Sequence, residues 1–338
     1  MKYYQEQEKE KKKLPFEKKL TLIIGVIIAT IVVLGCVWYF AAYRKGIGRW
    51  VKTTEPTCTE YGYMTKVGLF GKEESERISP LGHDMVNNIC RRCNCTANTK
   101  NLEFTVSSSG TKTSVSKINY ALGAVADVSV PTEYNGVRVT EINRRVFADS
   151  LGMLTITLPD SITGIGADAF DGCTNLKVVY YAGTIEQWVK ITFGTERSNP
   201  LYYADNLYVD GKLVETVEIS ESTQIKDYAF INYKALTRFA AGENVETIGA
   251  CAFYGCERLS EVVGLNNIRL VKSEAFEECD DRLTVYYHGG RSQWESVAVM
   301  AGNERLTSDT GVYFYSETQP DESGNYWYYD ESGNPEKW

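Results

Sequence analysis

Cys58, His83, Cys90 and Cys93 are the residues best suited to chemistry in this chain of 338 residues. A Cys-x-x-Cys pair joined by a distant Cys and His can hold Zn²⁺ tetrahedrally, because thiolate and imidazole both suit that ion. With Cys95 the same segment carries four cysteines. Outside a cell these could form disulfides in any of three connectivities, or they could stay free thiols. A redox Cys-x-x-Cys would need a βαβ context, and the flanking sequence has none. Disulfides, zinc and free thiols all remain open here, and structural zinc is the one cofactor the sequence admits.

A second set is aromatic. Tyr181 and Trp188 recur as Tyr287 and Trp294, inside the blocks Tyr180-Tyr181-Ala-Gly183…Gln187-Trp188 and Tyr286-Tyr287-His-Gly289…Gln293-Trp294. Aromatic faces suit sugar rings, so these four are candidate ligand-binding residues. The competing expectation is that each Trp closes the apolar edge of the core. Catalytic signatures are missing. The chain has two histidines, His83 and His288, and no Gly-x-Ser-x-Gly, His-Glu-x-x-His or phosphate loop. Asp280-Asp281 reads as a solvated loop pair. The expectation is a protein that is not an enzyme.

The elements that must position these residues follow from a repeat. Phe147 and Phe170 are 23 residues apart, as are Phe230 and Phe253, and Phe253 and Phe276. A fixed period in the twenties marks a solenoid, whose units bury their apolar faces only against neighbours. Around each Phe the columns hold one residue class. Five before it stand Ile142, Ile165, Ile225, Ile248 and Val271. Nine after it stand Ile156, Val179, Phe239, Val262 and Val285. Three after it stand Ser150, Cys173, Tyr233, Cys256 and Cys279, where Cys serves as a small buried hydrophobe. Leu176-Lys-Val-Val-Tyr-Tyr181 and Leu283-Thr-Val-Tyr-Tyr287 read as short strands. Stacked coils are expected to pair them in parallel, about 4.8 Å apart. The 60-residue step from Phe170 to Phe230 is expected to hold an insertion at about 182–216, with a hairpin at Asp210-Gly211.

These columns are close to a known pattern. Leu158-Pro159-Asp-Ser-Ile162-Thr163-Gly-Ile165-Gly166-Ala-Asp-Ala169-Phe170-Asp-Gly-Cys173-Thr-Asn-Leu176 resembles the BspA-type leucine-rich repeat. The resemblance covers about residues 101–315. It implies an α/β solenoid with short parallel strands. It also implies a cell-surface protein, usually bacterial, often assigned to adhesion or host interaction, with no catalytic residues. The segment around Cys58, His83 and Cys90-Arg-Arg-Cys93 is similar to a small module of bacterial surface proteins, here in one degraded copy. The C-terminal aromatic run looks like the tail of gut-bacterial members of the repeat family.

Charge and hydropathy suggest where the chain resides. Leu20–Tyr43 holds 24 residues without a charge. As a helix it would span roughly 36 Å, enough for a bilayer core of about 30 Å. Trp38, Tyr39 and Tyr43 would lie at one interface. Residues 1–52 carry 11 basic and 4 acidic groups, net +7, and residues 53–338 carry 25 and 40, net −15. The lysine-rich end is expected inside and the repeats outside, as a single-pass type II membrane protein. The alternative is a lipoprotein anchored at Cys36, since Val33-Leu34-Gly35-Cys36 resembles a lipobox. The acidic exterior argues against nucleic acid as partner. An extracellular protein or glycan is the expected partner, with a structural envelope role or a sensory ectodomain as alternatives. The expected organisation is a tail (1–19), a transmembrane helix (20–43), a Cys-rich module (44–100), a solenoid (101–313) and an aromatic cap (314–338).

Overall fold

The computed structural model describes residues 101–119, 126–308, 311–321 and 323–338, with five short strands between Val51 and Cys90. The apolar span Leu20–Tyr43 and the candidate zinc ligands Cys58, His83 and Cys93 lie outside the described residues. Of Cys90, only its place in the strand Ile89–Cys90 is described. No helix of the described residues is long and apolar enough to cross a membrane. The chain divides into two units. One contains an antiparallel sheet of three strands, Val51–Thr54, Gly62–Val67 and Glu73–Ile78. The other contains the repeats.

In the repeat unit the 23-residue period becomes one coil. Each coil contributes a four-residue strand to one parallel ladder and a two-residue strand to another. Thr155–Leu158 pairs with Val178–Tyr181 in register Ile156↔Val179. Arg238–Ala241, Glu261–Gly264 and Thr284–Tyr287 pair as Phe239↔Val262↔Val285. The column five before the Phe forms the second ladder, Ile142↔Ile165 and Ile225↔Ile248↔Val271. Alternation turns these residues inward. They join one continuous cluster running from Leu102 to Phe314. The phenylalanines stack along it, 5.1 Å apart for Phe147–Phe170, 5.5 Å for Phe230–Phe253 and 5.1 Å for Phe253–Phe276.

The core is continuous, but the sheets are not. The long ladder stops at Asn206–Val209, which turns through Asp210 and Gly211, both at positive φ, into the antiparallel arm Lys212–Leu213. A new sheet starts at Thr216–Ile219. The stretch 182–216 therefore holds a longer coil of the same solenoid plus a closing hairpin. Phe193 pairs with Ile165, 28 residues on, and Asn206 pairs with Val178, again 28 on. The extra residues form the short helix α1, Ile185–Trp188, capped by Thr184 and Gln187. The second Tyr-Tyr block repeats the device with helix α2, Arg291–Trp294, and returns to the ladder at Val312–Tyr315.

Side chains bridge the seam between the sheets. The Trp188 indole Nε1 donates to the Ala229 carbonyl at 2.8 Å, 41 residues away. Asn199 Nδ2 donates to the Tyr228 and Ala229 carbonyls at 2.7 and 3.0 Å. The Glu186 carboxylate accepts from the backbone N–H groups of Ser220, Glu221 and Ser222 and from the Ser222 hydroxyl. Burial pushes the Glu186 carboxyl up. The Ser222 hydroxyl and the N–H groups of Glu221, Ser220 and Ser222 outweigh it and hold the group below its ordinary value. A carboxyl depressed by folding contributes stability above the unfolded range of about 4.3, which is lost as pH falls through the folded value. Glu186→Gln is expected to lower the urea midpoint at pH 7, with the difference from the parent shrinking at pH 3.5.

The column three after the Phe shows how one position adapts. The Cys173, Cys256 and Cys279 thiols donate to the carbonyls of Phe147, Phe230 and Phe253 in the preceding coil, at 3.1, 3.1 and 3.3 Å. Ser150 donates to the Phe147 carbonyl of its own coil instead. Tyr233 is the first of its sheet and has no such coil in register behind it. Its longer hydroxyl crosses the seam, donating to the Val214 carbonyl at 2.7 Å and accepting from Leu207 N–H at 3.2 Å. All three thiols are free. Burial pushes Cys173 and Cys279 up to about 12 and Cys256 well above the ordinary thiol value. Since the thiolate is the reactive form, an aromatic disulfide reagent at pH 8 should leave these three unlabelled in the native protein. After unfolding all three should label, as read by peptide mass mapping.

Each coil also turns through a left-handed residue two after its Phe: Asp149, Gly172, Asn232, Gly255 and Glu278. At Gly172, φ is +75°, and an added Cβ would lie 2.5 Å from Asp149 Oδ1 of the previous coil. Gly172→Ala is expected to cost about 1–2 kcal/mol from the left-handed backbone, measured by urea denaturation.

Candidate binding face

The parity of each strand decides which tyrosine of a pair is available. Val179 and Val285 face the core, so Tyr181 and Tyr287, two residues on, face it as well. Tyr181, Tyr287, Trp188 and Trp294 are all buried. Tyr181 packs edge-on against Trp188 at 5.3 Å, and Tyr287 lies against Trp294 at 5.0 Å. Trp188 and Trp294 spend their N–H groups on the carbonyls of Ala229 and Leu306. Tyr181, Tyr287 and Trp188 are closed in, and Trp294 reaches the surface only where it borders a cavity with Arg291 and Phe314, so the four rings form no common stacking surface. That corrects the expectation drawn from the duplicated block.

The partners one residue earlier point the other way. Tyr180 stacks on Tyr208 at 5.4 Å on the outward side of the first sheet. Tyr286 pairs with Tyr313 on the outward side of the second. There the tail strand Tyr326–Tyr329 joins in parallel beside Val312–Tyr315, and Pro335–Lys337 closes the sheet antiparallel. Trp327 becomes the centre of an aromatic cluster. Its ring lies 5.5 Å from Tyr286, 5.2 Å from Tyr315, 4.8 Å from Tyr329 and 6.1 Å from His288. Its Nε1 donates to the Tyr287 carbonyl at 2.9 Å, which holds the tail against the repeats. Trp327 is fully buried by its neighbours.

The neighbours form the accessible rim. His288 stacks on Tyr315 at 4.4 Å, and both are half-buried. Tyr329 is 41% exposed. On the opposite side of the tail strands, Tyr328 stacks on the exposed Trp338 at 4.1 Å. The Lys337 ammonium sits 4.1 Å from the Tyr313 ring centroid, an attraction between cation and ring quadrupole. Arg238 and Glu261 pair at 3.1 Å on the same sheet. Burial pushes the Tyr286 phenol up to about 12, with Glu261, Tyr313 and Glu336 adding to it. Burial also raises Tyr329, reinforced by Tyr315 and opposed by Arg238. These phenols stay protonated at neutral pH and can donate hydrogen bonds. The face offers rings, hydroxyls and a few paired charges. Among the described residues no group of His, Cys, Asp and Glu is arranged to hold a metal.

Alternation could have been applied to the Tyr-Tyr pairs, since the core column next to them was already legible. The cluster itself carried no local signal. Trp327 reaches back 40 residues to Tyr287, and that contact depends on the tail pairing in parallel beside Val312–Tyr315.

Stacked coils with an Ile-Gly, Ala-Phe and Leu signature on each turn define a leucine-rich repeat fold. Residues 140–199 and 223–289 match the BspA type leucine rich repeat region, in six copies. Among solved structures, a T. pallidum leucine rich repeat protein is 18% identical, covering 60% of this chain and 84% of that one, with a TM-score of 0.31. A leucine rich cell surface protein of Faecalibacterium prausnitzii is 17% identical, covering 60% and 71%, with a TM-score of 0.31. A leucine-rich repeat protein of Bacteroides ovatus is 14% identical, covering 65% and 72%, with a TM-score of 0.33. No curated protein matches the chain.

Proposed function

We propose that this protein is a membrane-anchored surface module that binds an extracellular protein or glycan through the outward face of its second sheet. The aromatic rim around Trp327 carries the proposal. Half-exposed rings of His288 and Tyr315 and the exposed Tyr329 gather beside the Arg238–Glu261 pair. Large rings with few rotors lose little entropy on binding and are favoured at interfaces. The uncharged run Leu20–Tyr43 and the charge split at residue 52 support an anchor with the repeats outside. The acidic exterior offers nucleic acid no electrostatic attraction.

The full-length chain in neutral detergent should show saturable binding on glycan or extracellular-matrix arrays. Tyr315→Ala with Tyr329→Ala should weaken it by about tenfold or more, the loss of a ring-centred contact. Self-assembly with no saturable binding in any format would instead support a structural envelope role.

A further inference from the structure

The break between the two sheets leaves a strand edge without a ladder partner in the middle of the repeats, with α1 packed beside it. Thr216–Ile219 pairs with Arg238–Ala241 on one side and heads its sheet on the other. The Ile219 carbonyl accepts from Gly242 N–H, so the backbone groups of Val217 and Ile219 turn toward the paired strand. Those of Thr216 and Glu218 turn toward the seam. The next group of that parity, Ser220 N–H, is held by Glu186, which closes the upper end of the edge.

Next to this edge lies a groove of about 580 Å³, bordered by Thr216, the arm Lys212–Leu213, Asp210, Asp160 and Ile185. Leu213 and Thr216 are three residues apart, so their Cα atoms are separated by at most roughly 11 Å. Two strands flanking a third lie about 9.6 Å apart. The opening is therefore at most one extended chain wide. The surroundings are acidic. Asp210 lines the groove together with Asp160, which already pairs with Arg138 at 3.5 Å, and Glu215, Glu218 and Glu221 stand exposed along the edge. Lys212 is the one basic residue of the lining.

We propose that this seam is a docking site for an extended basic peptide, which adds as a strand to the edge Thr216–Ile219. Main-chain hydrogen bonds to Thr216 and Glu218 would supply affinity, and the carboxylates would select lysine or arginine on alternate positions. The site is separate from the aromatic face and does not rest on it.

The probe is a fluorescent Lys-Val-Lys-Val-Lys-Val-Lys-Val peptide, followed by anisotropy against the full-length chain in neutral detergent at 150 mM salt. A copy N-methylated at alternate residues keeps the charge and lacks the donors of one edge. Saturable binding is expected, weakened about tenfold or more by N-methylation. A comparable loss is expected in the variant Glu215→Lys with Glu218→Lys, at unchanged melting temperature. The amides of Thr216 and Glu218 should gain protection from hydrogen exchange when the peptide is bound. Equal binding of the methylated peptide would mean attraction by charge alone and would overturn the proposal. So would absence of binding, or protection that appears at the aromatic tail and not at Thr216 and Glu218.

Discussion

Phe253→Ala is expected to lower the unfolding free energy by about 3–5 kcal/mol, the cost of losing a fully buried phenyl ring. Phe253 lies between Phe230 at 5.5 Å and Phe276 at 5.1 Å, with Phe239 at 4.7 Å from the next ladder. All four rings are buried, in coils whose backbones are tied by ladder hydrogen bonds. The site therefore cannot collapse, and most of the void remains. Phe253→Leu keeps much of the volume and should cost under about 1.5 kcal/mol. Urea unfolding at neutral pH measures both. If the two variants differed little from the parent, the phenylalanine stack would not be the spine of the core.

Trp188→Ala is expected to cost a similar amount, about 3–5 kcal/mol, and to act on a different property. Trp188 belongs to the coil before the seam, yet its indole donates to Ala229 in the first coil after it. A solenoid is held by nearest-neighbour interfaces, so its cooperativity depends on the weakest of them. At the seam no ladder hydrogen bonds join the two sheets. Removing the indole should separate one unfolding transition into two. Amides of Arg238–Ala241 and Thr155–Leu158 would then exchange with different free energies. Trp188→Phe keeps most of the ring and loses the N–H. The Ala229 carbonyl still accepts from Asn199, so this variant should cost about 1 kcal/mol from the lost bond. A single unchanged transition in Trp188→Ala would show that the apolar core and the remaining bridges from Asn199, Tyr233 and Glu186 couple the blocks without the indole.

Much of the core was legible because a solenoid repeats its own constraints. Ile165, Phe170, Leu176 and Val179 occupy columns whose residue class recurs, and each is buried. Leu283, which opens the strand segment of the last coil, is buried as well. The Gln-Trp blocks form the short helices α1 and α2. The binding candidates were less legible. Choosing Tyr181 and Tyr287 placed them one residue out of phase, and on a strand one residue is the difference between core and solvent. The break in the ladder had no column of its own. It follows from the arm Lys212–Leu213 pairing back onto Tyr208 and Val209, which leaves Thr216 to start afresh.

From residue order alone came the period, the coil, its inward columns and the division between an apolar lysine-flanked start and an acidic remainder. Those are local or periodic properties, set by side-chain class and spacing. The tertiary structure alone decided that one core runs beneath two sheets, that Trp188, Asn199, Tyr233 and Glu186 bridge the seam, and that Trp327 gathers an aromatic rim. Each of these depends on contacts between residues far apart in the chain, whose partners are chosen by packing and by which backbone groups are left to satisfy.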